Sequence, residues 1–254
     1  MIFDFKDKNV LITGGSRGIG SCTAQLFAAA GANVIFTYRT DQAAAELTLA
    51  KLGAGQHRLV QLDVTDPIAV KDFFDTYAHH HATLDIVVNN AAVFLPHPIL
   101  ATDYESWQMS WQQTIATNLI GPSNICYFAA QLMAKQKAGK IINISSRGAF
   151  RGEPDHPAYG ASKAALNAMS QSLAIALAPH QISVHVIAPG FVATEMATES
   201  LEGPAGASIK NQSPFGRIAK PEEVARLIAV YASEGLEFTS AGIVDINGAS
   251  YLRS

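Results

Sequence analysis

Short apolar runs recur along almost the whole chain with helical patterns between them, and seven of these runs predict strands: Asn9–Thr13, Asn33–Tyr38, Arg58–Asp63, Asp85–Asn89, Lys140–Ser145, Ser183–Ala188 and Gly242–Ile246. Val10-Leu11-Ile12 and Ile86-Val87-Val88 are continuously apolar, without the polar-apolar alternation of a half-solvated strand. Such runs suit parallel strands buried on both faces. The pattern therefore predicts an α/β chain: a Rossmann-type doubly wound parallel sheet of about seven strands with helices on both faces. No linker or composition shift divides residues 1–254, so one domain is expected.

Composition narrows the picture without changing it. A hydrophobic fraction of 48% with 15% charged residues describes a packed globular protein. The formal net charge of −3, with no clustering of basic residues, gives no reason to expect nucleic acid or an anionic membrane as partner. The longest stretch without Asp, Glu, Lys or Arg, Ala164–Thr194, is interrupted by Asn167, Ser170, Gln171, Ser172 and Pro179, so it does not read as a membrane span. Asp4, Lys6, Asp7 and Lys8 fall where a secretory signal needs a continuous apolar segment, and a cytoplasmic location is the expectation. Cys22 and Cys126 have no metal or CxxC spacing and fit reduced, buried thiols; no metal site is expected. His79-His80-His81 reads as the end of a helix, where imidazole is favourable, because consecutive helical residues point in different directions.

Candidate chemistry begins at Thr13-Gly14-Gly15-Ser16-Arg17-Gly18-Ile19-Gly20, where the first strand turns into the first helix. Glycines allow positive φ and close backbone approach, and the helix N-terminus offers N–H groups to a pyrophosphate. The spacing is G-x-x-x-G-x-G, not the standard G-x-G-x-x-G. Gly14–Gly18 also matches the G-x-S-x-G nucleophile elbow of α/β hydrolases, but that elbow follows earlier strands, whereas this turn closes the first one. Downstream, Tyr159 and Lys163 are four residues apart and share one helical face. A tyrosine with pKa near ~10 is a poor base; a cation roughly 4 Å away is worth about 4 kcal/mol and would lower that pKa by up to ~3 units.

These segments together resemble the short-chain dehydrogenase/reductase family from about Lys8 to Tyr251. Thr13–Gly20 is similar to its cofactor turn, Asn89-Asn90-Ala91 to its motif after the fourth strand, Asn118 to its helical asparagine, Ser146 with Tyr159 and Lys163 to its catalytic serine and Y-x-x-x-K pair, and Pro189–Thr194 to its nicotinamide-side loop. The resemblance implies an oxidoreductase that passes hydride between a nicotinamide and a carbonyl or secondary alcohol. In it Tyr159 is the acid–base, Ser146 binds the substrate oxygen, Lys163 holds the ribose, and Asn118 holds a water of the proton relay. Ser145 competes with Ser146, which the thirteen-residue distance to Tyr159 favours.

Cofactor contacts are implied for Gly14, Ser16, Arg17, Gly18, Ile19, Gly20, Arg39, Asp63, Val64, Asn90, Ala91, Tyr159, Lys163, Pro189, Gly190, Val192 and Thr194. The second strand ends at Tyr38 and is followed by Arg39 instead of an acid, so NADP(H) is expected over NAD(H), with Arg17 and Arg39 clamping the 2′-phosphate. Residues 191–215, with Gly203, Pro204 and Gly206, are expected to form a mobile substrate-binding loop; His156 reads as a solvated loop residue, and Pro96-His97-Pro98 with Trp107 and Trp111 as the substrate mouth. Two departures from the family stand out: Ala92 follows Asn-Asn-Ala where glycine is common, and Ala249 follows Gly248 where a second glycine is usual. The other reading is a catalytically silent NADP-binding sensor or scaffold on the same fold. The family likeness and the Pro157–Ala178 helix, apolar around much of its circumference with no charge after Lys163, imply a homo-oligomer, tetramer or dimer.

Overall fold

The structure, a computed structural model, describes residues 3–204 and 206–253. In chain order it runs β1 (Asn9–Ile12), α1 (Gly18–Ala29), β2 (Asn33–Tyr38), α2 (Gln42–Ala50), β3 (Arg58–Gln61), α3 (Pro67–His80), β4 (Ile86–Asn89) and α4 (Tyr104–Ile115). A π-helical turn, Ala116–Ile120, joins α4 to α5 (Gly121–Gln136). The chain continues through β5 (Gly139–Ile144), α6 (Pro157–Leu177), β6 (Ile182–Pro189), α7 (Glu195–Glu202), α8 (Gly206–Asn211), α9 (Pro221–Ala232) and β7 (Ile243–Ile246).

All seven strands pair parallel in the order β3-β2-β1-β4-β5-β6-β7. The continuous apolar runs are explained by the two-residue period of the pleat. Val10, Ile12, Phe36, Val88, Ile142 and Ile187 pack on one face with α1 and α9, while Leu11, Ile35, Val87, Ile141 and Val184 pack on the other with α3, α5 and α6. The expected strands are present with ends displaced by one or two residues. The largest difference is that Leu62 and Asp63 lie beyond β3, where Asp63 turns the chain by accepting from Thr65 N and Thr65 Oγ1.

Helix starts follow their capping chemistry. Asp66 accepts from Ile68 N at 2.9 Å and Ala69 N at 3.1 Å ahead of α3, with Pro67 at its first position. Its end carries His79 and His80, and His81 stacks on Tyr77 at 4.6 Å, as the helix-end reading requires. Among the described residues no group of three or more His, Cys, Asp or Glu could hold a metal, and no helix is long and apolar enough to cross a membrane. Cys126 is buried, but Cys22 is only half-buried, packed beside Glu222; burial and that carboxylate push its thiol up to about 11.

The segment expected as a loop over residues 191–215 is largely helical, forming α7 and α8. Its beginning is tied down by Ala193 N donating to Ala219 O at 2.9 Å and by a parallel bridge between Val192 and Ala219.

The two departures in glycine pattern differ in consequence. Ala92 has no left-handed backbone, so its methyl group fits without strain. Ala249 has φ 57°, directly after Gly248 at φ 60°, and an L residue with a Cβ is disfavoured there. Ala249→Gly should raise the unfolding free energy by about 0.5–1 kcal/mol after glycine's greater unfolded-state entropy is counted, measurable by urea denaturation. A loss of stability of similar size would contradict the strain.

Candidate active site

Because every strand points the same way, the C-terminal ends of β1, β2, β4, β5 and β6 gather along one edge, where an open α/β sheet binds ligands. A cavity of about 320 Å³ runs along that edge. Its walls include Gly14, Ser16, Arg17, Gly18, Ile19, Arg39, Asp63, Val64, Asn90, Ala91, Ser146, Tyr159, Lys163, Pro189, Gly190, Val192 and Thr194. Of the residues proposed from sequence only Gly20 and Asn118 do not line it.

At one end lies the β1–α1 turn. Gly14 has φ 65°, and a Cβ there would meet the Ala91 backbone at 2.9 Å; Gly20 packs so tightly on the Gly14 carbonyl that no side chain fits. Arg17 precedes α1 without a side-chain cap, and the Gly18, Ile19 and Gly20 N–H groups have no acceptor among the described residues. An uncapped helix start beside a cradle that a Cβ would fill suits a pyrophosphate. The residues present thus fit a dinucleotide. Asn90 holds this turn from behind: its Nδ2 donates to Thr13 O at 3.0 Å and Gly14 O at 2.8 Å. Its side chain is therefore committed to the protein backbone. Arg39 is exposed on the cavity wall, whereas Arg17 pairs with Glu195 Oε2 at 2.9 Å, tying the turn to the start of α7.

At the other end, Ser146 follows β5 and α6 carries Tyr159 and Lys163 on one face. Ser146 Oγ accepts from Gly148 N at 3.0 Å and lies near enough to the Tyr159 phenol to act on its pKa. Ser145, its competitor, turns inward: it is 3% exposed and its Oγ donates to Lys163 O. Lys163 is buried, and its Nζ donates to Ile144 O at 2.8 Å. Asn118 is fully buried in the π-helical turn. Its Oδ1 accepts from Val93 N at 2.8 Å, and its Nδ2 donates to Val93 O at 3.0 Å and Ser162 Oγ at 3.2 Å. The side chain pins the segment after β4 to α6. The π turn that carries it is a distortion common at functional sites.

The electrostatics differ from the expectation of a phenol activated by its neighbour. Lys163 Nζ lies 5.6 Å from the Tyr159 ring centroid, engaged with Ile144, and its own burial lowers its pKa to about 8. Burial pushes the Tyr159 phenol up to about 12; the Ser146 hydrogen bond works against this and the Glu153 carboxylate adds to it. Desolvation therefore dominates, and the phenol keeps its proton at neutral pH.

Other residues at this end were not named from sequence or were given different surroundings. Phe94 lines the cavity, meets Tyr159 edge-on at 4.7 Å and stacks on His156 at 3.6 Å with the rings 7° from parallel. His156 is thus no solvated loop residue: burial lowers its pKa to about 4. His97, expected at a substrate mouth, is fully buried against Trp107 and Trp111. Its Nε2 accepts from Ala158 N at 3.1 Å and its Nδ1 donates to Leu95 O at 2.8 Å, so it caps the start of α6 one residue before Tyr159. Pro157 at the first position was legible as a helix start, but an imidazole reaching it from sixty-one residues away was not.

Comparison with known proteins agrees with this geometry. Residues 14–248 match the family described as Enoyl-(Acyl carrier protein) reductase. The 3-oxoacyl-[acyl-carrier-protein] reductase FabG of Escherichia coli is 34% identical over 249 residues, 98% of this chain and 99% of the relative. Among solved structures, ElxO with NADP bound has a TM-score of 0.86 at 29% identity over 96% of this chain and 98% of its own. A putative gluconate dehydrogenase from Agrobacterium tumefaciens has a TM-score of 0.92 at 26% identity, covering 98% of each chain.

Difference absorbance between the protein and its Tyr159→Phe variant, followed during an alkaline titration, should show no Tyr159 phenolate below about pH 10. A phenolate forming near neutral pH would contradict the dominance of burial.

Proposed function

The chain belongs to the short-chain dehydrogenase/reductase family of oxidoreductases, and on that premise we propose that it reduces a carbonyl compound with NADPH, with Tyr159 as proton donor. The observation that carries this reading is the convergence of Ser146, Tyr159 and Lys163 on one cavity whose other end is the uncapped start of α1. When bound, the reduced nicotinamide supplies the hydride for the carbonyl carbon. Ser146 Oγ and the Tyr159 hydroxyl hold the carbonyl oxygen, and the Tyr159 proton passes to that oxygen as charge develops on it. A phenol raised to about 12 carries its proton at neutral pH, the state that the reduction starts from. Lys163, buried and lysine-charged below about pH 8, serves to orient the ribose and to draw the phenol proton outward. The name carried by the relatives directs the finer substrate reading to 3-oxoacyl carbonyls in preference to simple ketones. No observation favours the silent sensor.

For the cofactor we propose NADP(H), supported by Arg39 on the cavity wall beyond β2 and by the neighbour with NADP bound. Arg39 takes the larger share of the 2′-phosphate, since Arg17 must first leave Glu195. We propose the segment of α7 and α8 as the part that moves over substrate. A homo-oligomer is proposed through α5 and α6, where Tyr127 and Ile175 are exposed.

Tyr159→Phe should leave NADPH binding intact and lower turnover of 3-oxoacyl esters by at least ~100-fold, read by NADPH absorbance. Near-normal turnover would overturn the assignment. Arg39→Asp should weaken NADPH use by at least ~10-fold in kcat/KM, with NADH use unchanged or improved; unchanged selectivity would show that the phosphate is held elsewhere.

A further inference from the structure

Directly after Ser146 stands Arg147, whose side chain is 4% exposed although it lines the cavity. Its guanidinium lies over the Phe191 ring at 5.3 Å, and Nη1 donates to Gln212 Oε1 and Ser250 Oγ, both at 2.8 Å. Arg151 Nη1 donates to the same Gln212 oxygen at 2.9 Å. Two guanidinium groups thus converge on one neutral acceptor. The nearest carboxylate, Glu153 Oε1, is 4.0 Å from Arg147 Nη2, beyond hydrogen-bond reach. Nη2 and Nε of Arg147 have no acceptor among the described residues.

A buried guanidinium with unused donors is expensive unless an acceptor completes it. Arg147 and Glu153 line the same cavity as Ser146 and Tyr159, with Nη2 the guanidinium nitrogen recorded nearest Glu153. With Lys163 lining the same cavity, Arg147, Arg151 and Lys163 outnumber Glu153, so the space beside Ser146 and Tyr159 is net positive. That sign matches an anion, and the planar fork of guanidinium matches a carboxylate in two parallel hydrogen bonds. A dianionic group would meet Glu153 as well. Burial also pushes the Glu153 carboxyl above its ordinary range, weakening it as the internal partner.

We propose that Arg147 is a specificity-determining residue: the substrate carries a carboxylate on the same compact molecule as its reacting carbonyl, and Arg147 binds that carboxylate. This rests on the reductase reading and departs from its finer substrate part, since the reacting carbonyl would sit on a free oxo acid and not on a 3-oxoacyl ester or thioester. Phe191 supports the cation from one side, and Arg151 with Gln212 fixes its orientation.

The test compares kcat/KM for 2-, 3-, 4- and 5-oxo acids with their methyl esters, alongside calorimetric binding of the same acids to the enzyme–NADP+ complex. At least one acid should exceed its ester by about 10-fold or more, the scale of one charge-assisted hydrogen bond. Arg147→Met should shift that ratio toward the ester by about 10-fold or more, Arg147→Lys by less, and Glu153→Gln toward the acid. Should Arg147→Met fail to fold, the wild-type ratio and Glu153→Gln decide. Esters reduced as well as every acid would overturn the inference while leaving the reductase reading intact. Acids bound to the complex but never reduced, with binding lost in Arg147→Lys or Arg147→Met, would uphold the inference and overturn the reductase reading. No binding of any acid, or ratios unmoved by all the substitutions, would overturn it.

Discussion

A buried ammonium group must be given an acceptor, and the contact of Lys163 Nζ with Ile144 O is where this fold meets that demand. Removing the cation from water costs several kcal/mol, so α6 can dock only where a backbone carbonyl is available. The end of β5 offers one, next to the point where Ser145 N bonds Ile187 O and Ser146 leaves the sheet. With that contact made, the rest of the site is placed. Tyr159, one turn earlier on α6, faces the cavity beside Ser146, and Ser162 meets Asn118 of the π turn. Beneath them Asn89 Nδ2 donates to Asn143 Oδ1 and Asn143 Nδ2 to Ser170 Oγ, both at 2.8 Å, carrying a buried polar line from β4 through β5 to α6. Such a line has few satisfied alternatives, and it sets the helix against the sheet more narrowly than apolar packing does.

Much of the fold was legible because its signals are local. Runs such as Ile86-Val87-Val88 imply burial on both faces, and the sheet places alternate members of each run in opposite cores. The glycine turn and the Tyr159–Lys163 pair were legible as spacing, and Asn118 and Ser146 through the resemblance to the family. What the pattern does not encode is what each side chain does with its hydrogen bonds. Asn90 and Asn118 use theirs on the backbone of Thr13, Gly14 and Val93. The charge balance at Tyr159 was misjudged because pair spacing gives the Coulomb attraction but not the desolvation, which depends on everything packed around the phenol. His97 and His156 were given other surroundings and Arg147 was missed for a related reason: their contacts join segments far apart in sequence, and Arg147 looks like an ordinary surface cation until its burial is known.

The cavity therefore has two electrostatic ends joined by the strand edge. One end gathers helix N–H groups and Arg39, suited to the anionic part of a dinucleotide; the other gathers a protonated phenol, a serine hydroxyl and a buried arginine, where the carbonyl is proposed to react. The central claim is that hydride passes directly from nicotinamide to carbonyl carbon while the protein supplies the proton. Reduction with NADPH carrying deuterium at the transferred position of C4, in ordinary water, tests it most directly. The account predicts one deuterium on the carbinol carbon for each NADP+ formed, and none on that carbon when unlabelled NADPH is used in heavy water. Solvent deuterium on the carbon, or no consumption of NADPH with any oxo acid or ester, would contradict it.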